Sequence, residues 1–157
     1  EGGPFPLRLE TAECLSLPDW RYQMETQSNQ TTHQEMDLSS PQAASLIAAQ
    51  NDAFRKTAMD LRSAPDIPLG RIVMTSGISQ QSPEFKLELM RKVTAFETFD
   101  EDCDPYNWHE MGVIEMGNEK IWFKIDLYDV AYQHGAADPT DPQQTRRVLT
   151  LLFPSEY

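Results

Sequence analysis

Positive charge is scarce in this chain. Thirteen lysines and arginines stand against 25 aspartates and glutamates, leaving a formal charge of −12 over 157 residues. Nucleic-acid affinity comes chiefly from basic side chains neutralising phosphates, so the acid-rich part of the chain, residues 97–141, is not expected to bind phosphate directly. Cysteine is scarcer: Cys14 and Cys103 are the only two. Two do not make a disulfide framework, and their simplest setting is a reducing cytoplasm. Long apolar runs are missing, which leaves no helix able to span a bilayer, and no membrane partner is expected. No basic start followed by an apolar stretch marks a signal peptide. There is no internal repeat. HExxH, a CxxC pair, a GxSxG elbow, a phosphate loop and a dinucleotide fingerprint are all missing, so none of the common reaction signatures is present.

What is there suffices for a folded domain. Hydrophobic residues make up 39% and aromatics 10%, which places the chain among globular proteins. Residues 1–38 read as an arm. "EGGPFPLRLETAECLSLPDW" is rich in Pro and Gly, and "QSNQTTHQEM" is polar with no apolar period. Within the arm, Leu7, Leu9 and residues 14–17 suit a short edge strand, and Trp20 and Tyr22 suit anchoring it.

Residues 39–157 read as one α+β domain. Ser39 or Ser40, then Pro41, cap a helix over "QAASLIAAQNDAFRKTAMDLRS", with Ala43, Ile47, Phe54, Ala58 and Leu61 inward and Pro65 and Pro68 ending it. "GRIVMTSG" predicts a strand from Arg71 to Thr75, closed by Gly77. Ser82 and Pro83 open a second helix reaching about Thr98, with Phe85, Leu89, Val93 and Phe96 inward. "HEMGVIEMGNEKIWFKIDLYD" predicts a β-hairpin turned at Gly117-Asn118. That turn pairs Glu115 with Lys120, Ile114 with Ile121 and Val113 with Trp122, and puts Ile114, Met116, Ile121, Phe123, Ile125 and Leu127 on the core face. "YQHGAADPTDPQQT" is a loop, with a helical turn suggested at Asp141-Pro142, and "RRVLTLLF" closes the chain as a strand. The expected fold is an antiparallel sheet of about four strands with two helices packed on one face.

The stretches "NDAFRKT", "GRIVMTSGI", "FDEDCDPYNWHEMG", "WFKIDLYD", "HGAADPTDPQQTRRVLTLLF" and the closing "SEY" resemble, in this order, a bacterial family catalogued as domain of unknown function 3768. The likeness begins at Asn51 and leaves out the arm. It implies a cytoplasmic bacterial protein from a plasmid or other mobile-element setting. It brings no reaction and no catalytic residues.

The acids are not spread evenly. Between Glu97 and Asp141 there are twelve acids and only Lys120 and Lys124 as bases, so this stretch holds nearly all the imbalance. Its densest part, "FDEDCDPYNWHEMG", allows three readings. As a metal site, Asp102, Asp104, His109 and Asp126 would converge on a divalent ion; the calcium-loop pattern fails, with Pro105 where Gly belongs, so no cofactor is expected. As a catalytic site, His109 stands opposite Asp126 in the hairpin register, and a carboxylate orients a histidine. Cys103 is the nearest nucleophile, but Asp102 and Asp104 beside it disfavour its thiolate. As an interaction face, Asp100, Glu101, Asp102, Asp104 and Glu110 combine with Tyr106, Trp108, Trp122 and Tyr128, the ingredients of a protein-binding patch. The third reading is preferred: an acidic face binding a protein partner, such as a basic nucleic-acid-binding protein, with carboxylates in place of phosphates. His33 and His134 read as loop residues, and Arg55-Lys56, Arg91-Lys92 and Arg146-Arg147 as solvated charges.

Overall fold

Serine hydroxyls start both long helices. In the computed structural model, which describes residues 37–60 and 67–157, Ser40 Oγ accepts the Ala43 N–H at 3.2 Å and opens α1, Pro41–Lys56. Ser82 Oγ accepts the Phe85 N–H at 3.2 Å and opens α3, Pro83–Thr94. Each bond satisfies a donor that a helix N-terminus leaves unpaired, and the proline that follows gives up no hydrogen bond there. Both helices stop short of the expected ends, α1 with Thr57 as its cap and α3 with Ala95. The chain divides into two units, Glu1–Glu35 and Met36–Tyr157, and the described residues lie in the second. The arm strand, the Trp20 and Tyr22 anchors, His33, Leu61 and Pro65 fall outside the described residues.

Four strands form one sheet in the order β1-β4-β3-β2: β1 Gly70–Met74, β2 Met111–Met116, β3 Glu119–Tyr128 and β4 Arg146–Leu152. The β2–β3 hairpin has the expected register, Glu115 opposite Lys120, Ile114 opposite Ile121 and Val113 opposite Trp122. Gly117 at φ +64° makes the turn. The sheet departs from expectation at its other edge. β1 runs parallel to β4, because the connection between them passes through the later helices and the hairpin rather than a tight turn. A third, short helix, α2 (Ser76–Ser79), replaces the expected loop at Gly77. Glu156, from the closing 3-10 turn Pro154–Glu156, takes the Gly77 N–H at 2.6 Å.

One face of the sheet meets both long helices. Ile121, Phe123, Ile125, Leu149 and Leu151 pack with Ile47 and Phe54 of α1 and Leu89 and Val93 of α3. Alternation along β3 dictates this, since every second residue points the same way. The opposite face is not the open surface expected of it. Trp122 there is only 5% exposed and meets the Tyr157 ring edge-on at 5.9 Å.

Two glycines give contrasting tests. A Cβ on Gly70 would lie 2.2 Å from the Arg147 carbonyl oxygen and 2.6 Å from the Phe54 ring. Gly117 has open space around it and only its positive φ to protect. In urea denaturation, Gly117→Ala is expected to cost about 1 kcal/mol from left-handed strain. Gly70→Ala is expected to cost about 3 kcal/mol, because backbone must shift to make room. Equal losses would contradict the packing of β1 against β4.

Candidate functional site

The polar edge of α1 builds this site. Residues three and four apart share a helix face, so Asn51, Asp52 and Arg55 form a strip beside the apolar stripe of Ile47 and Phe54. Asn51 is fully buried. Its Oδ1 accepts from Arg147 Nε at 2.8 Å, and its Nδ2 donates to the Trp108 carbonyl at 2.8 Å. Gln50 adds a second path: Oε1 accepts from Arg147 Nη2 at 2.6 Å and Nε2 donates to the Thr140 carbonyl at 2.8 Å. Arg147 has no exposed surface. Burial lowers its pKa to about 10, which leaves it charged at neutral pH with amide oxygens as its partners.

The second half of the strip is ionic. Arg55, also fully buried, donates from Nη2 to Asp52 Oδ1 at 2.9 Å and from Nη1 to the Val93 carbonyl. The rings of Phe99 and Phe123 lie 5.5 and 5.7 Å from its guanidinium carbon, within cation–π range. The other oxygen of Asp52 meets His109 Nδ1 at 3.0 Å. The imidazole stacks flat on Phe99, centroids 4.1 Å apart and planes 2° from parallel. A neutral His109 in this geometry donates from Nδ1, and its Nε2 has no described partner. A third of the His109 side chain is exposed. For Asp52, burial acts to raise the pKa, but the hydrogen bonds from Arg55 and then His109 outweigh it, so the carboxyl lies below its ordinary 3.8.

Asp104 shapes the acidic loop from inside. It is 1% exposed, and its two oxygens accept the Trp108 N–H at 3.0 Å and the His109 N–H at 2.8 Å. Asn107 and His109 take positive φ angles of 53° and 54°, a conformation that side-chain-bearing residues hold only when surroundings enforce it. Asp100 Oδ1 takes the Cys103 N–H at 2.9 Å. This curl corrects the pairing of His109 with Asp126. The left-handed residue bends the chain off the strand line before β2 begins, so His109 turns to Asp52, while Asp126 pairs with Lys124 at 3.0 Å. The proposed metal set of Asp102, Asp104, His109 and Asp126 therefore loses its geometry. Among the described residues no group of three or more His, Cys, Asp or Glu is placed to hold a metal ion.

The expected interaction face divides in three. Asp100, Glu101, Asp102 and Tyr106 are exposed, Glu110 and Tyr128 are half-buried, and Asp104, Trp108 and Trp122 are buried. The two tryptophans are packing residues, which corrects their assignment to an exposed patch. Cys103 is buried, which takes it out of reach as a nucleophile. Further along, acids serve turns. Asp129 Oδ1 accepts the Gln133 N–H at 2.9 Å, Asp138 the Thr140 N–H at 3.0 Å and Asp141 the Gln143 N–H at 2.8 Å, as aspartates before turns do. Glu97 pairs with Lys56 at 2.8 Å. His134 is an exposed loop residue, as expected, 3.3 Å from Asp129. Of the basic residues read as solvated, Arg55 and Arg147 are the two that the core encloses.

Sequence reasoning passed over Gln50, Asn51, Asp52, Arg55, Phe99 and Arg147. The available signal was the polar strip abutting the apolar stripe of α1, and periodicity assigns such a strip to solvent. A family model described as a protein of unknown function (DUF3768) matches residues 74–156, which include the acidic loop, His109 and Arg147. No curated protein and no solved structure matches the chain.

Asp52 gives this cluster a pH signature. Its folded pKa is depressed, so its contribution to stability is full above the ordinary carboxylate value and is lost as pH falls through the lower folded one. Denaturation midpoints taken across the acid range should fall less steeply for Asp52→Asn than for the wild type. At neutral pH the same substitution should cost about 3 kcal/mol, since it leaves buried Arg55 without its counter-charge. Identical acid slopes would show that Asp52 is not held by these partners.

Proposed function

We propose, for a chain that belongs to the DUF3768 family of proteins of unknown function, that it works by binding a basic protein through the acidic loop. The contact residues are Asp100, Glu101, Asp102 and Tyr106, with Glu110 and Tyr128 at the border. One observation supports this reading above others: the loop is fastened from beneath. Asp104 holds its backbone, Asn51 holds the Trp108 carbonyl and Asp52 holds the His109 ring. A loop already fixed in shape loses little conformational freedom on docking, and that saving becomes affinity. Three successive carboxylates beside an exposed tyrosine suit lysine and arginine side chains.

The partner class is a nucleic-acid-binding protein whose basic groove accepts carboxylates in place of phosphates, so that the chain acts as a DNA mimic. The resemblance adds the setting: a bacterial cytoplasm and a plasmid or mobile element, where blocking a host defence protein is a fitting task. This analogy concerns context rather than chemistry. Residues 1–38 belong to the reading as a separate arm before the 39–157 domain.

A second reading rests on a separate observation. The Asp52–His109 pair has the form of an oriented proton acceptor, with Nδ1 tied to a carboxylate, Nε2 without a described partner and the ring part-exposed. The metal-dependent or His-assisted enzyme considered from sequence survives only in this form, with Asp52 replacing Asp126.

Charge-matched variants separate a specific face from bulk charge. The probe is an arginine-rich DNA-binding peptide, with affinity measured against salt and against competing duplex DNA. Glu101→Lys with Asp102→Lys should weaken binding at least tenfold and flatten the salt dependence. Glu84→Lys with Glu88→Lys, an equal change of charge on α3, should weaken it far less. Equal losses from both pairs would reduce the effect to net charge and remove the proposal.

A further inference from the structure

β1 is an edge strand without the usual protection. Among the described residues it pairs only with β4. Two flanking bonds fix its phase: Arg147 N–H to the Leu69 carbonyl and Thr75 N–H to the Leu151 carbonyl, both 3.0 Å. Odd-numbered residues thus turn their backbone toward β4, and Gly70, Ile72 and Met74 turn their N–H and C=O groups outward. Edge strands are commonly blunted by lysines, prolines, bulges or inward charges. Here Leu69 is 59% exposed, Ile72 40% and Val73 43%. The one charge in the strand, Arg71, lies over the Tyr132 ring at 3.8 Å and leaves the edge apolar.

Charge distribution selects the occupant. From residue 67 to 96 four bases outnumber two acids, whereas from 97 to 141 twelve acids face two bases. The acidic loop leads into β2, which is the opposite edge of the sheet. Two copies meeting at β1 therefore join at a strand whose one charge is Arg71 and keep the acidic loops, which lead into β2, at far ends. A head-to-head pairing of this kind is self-complementary and closed, the commonest symmetry among soluble oligomers.

We infer that the open edge of β1 pairs antiparallel with β1 of a second copy and continues the sheet across a two-fold axis. Ile72 exchanges both backbone bonds with Ile72 of the partner subunit, and Gly70 pairs with Met74 of the partner subunit. The paired Ile72 side chains cover one another on the helix side of the sheet, and Val73 lies over the partner's Arg71 on the other. The pair presents two acidic loops, so a target with two basic sites is held more tightly than a single loop allows.

Sedimentation equilibrium of the full chain over a concentration series, at low and high salt, tests this. The wild type should approach twice the single-chain mass as concentration rises. Added salt should favour the pair, because it screens repulsion between two strongly negative molecules, whereas docking by the acidic loop weakens with salt. Ile72→Lys should hold the chain at single mass. Val73→Lys, on the other side of the strand, should do the same if Ile72→Lys unfolds in far-ultraviolet dichroism. Asp102→Lys should dimerise like the wild type. A wild type that stays single at every concentration and salt overturns the inference. So does growth beyond the dimer, or loss of association through Asp102→Lys rather than through β1, since either means head-to-tail contacts.

Discussion

Burying two guanidinium groups, Arg55 and Arg147, constrains nearly every other polar choice in this molecule. An ion taken out of water costs several kcal/mol after relaxation, and partners must offset that cost from within. α1 supplies them. Asp52 answers Arg55 with a full charge, while Asn51 and Gln50 answer Arg147 with amide oxygens. Each of these helix residues then has a second polar atom to satisfy. Asn51 turns to the Trp108 carbonyl, Gln50 to the Thr140 carbonyl and Asp52 to His109. The acidic loop and the loop before β4 are thus drawn onto the helix by groups first committed to the arginines. Helix, sheet and loops share one hydrogen-bonded system.

The same system determines what the acidic stretch has left to offer a partner. Its aspartates are not interchangeable. Asp104 is spent on the backbone of Trp108 and His109, and Asp129, Asp138 and Asp141 on the turns that follow. What remains on the loop surface is a short row, Glu101 and Asp102 with Asp100 next to them and Tyr106 near, while Glu115 and Glu119 are exposed on the hairpin. The row is narrower than the composition suggests, but its shape is set by the groups beneath it. A small rigid acidic feature favours discrimination among basic partners over indiscriminate attraction, because shape must fit as well as charge.

Local patterns were legible in the sequence, and long-range polar contacts were not. The hairpin register followed from Gly117-Asn118 and from apolar alternation, since a two-residue turn leaves one pairing that buries the apolar set. Ser40-Pro41 and Ser82-Pro83 announced their helices because capping is decided within four residues. The parallel partner of β1 was hidden, because it depends on where β4 arrives much later in the chain. Arg55, Asn51 and Arg147 were hidden for a different reason. Periodicity sorts residues by hydrophobicity, so a polar residue that is buried because another polar residue meets it is read as solvent-facing. His109 illustrates both effects. Extending the hairpin put it opposite Asp126, but a left-handed backbone, held by buried Asp104, swung it toward α1 instead.

The central claim is that α1 holds the acidic loop in one shape through Asn51 and Asp52. Hydrogen exchange at the Trp108 and His109 amides tests it most directly. In the wild type both should exchange slowly, since Asp104 accepts them beneath a fastened loop. In Asn51→Ala they should exchange at least tenfold faster, while the Phe123 and Leu149 amides at the sheet centre change far less. Fast exchange of the loop amides in the wild type, or rates untouched by Asn51→Ala, would mean that the loop keeps its shape without the helix or has no fixed shape to keep.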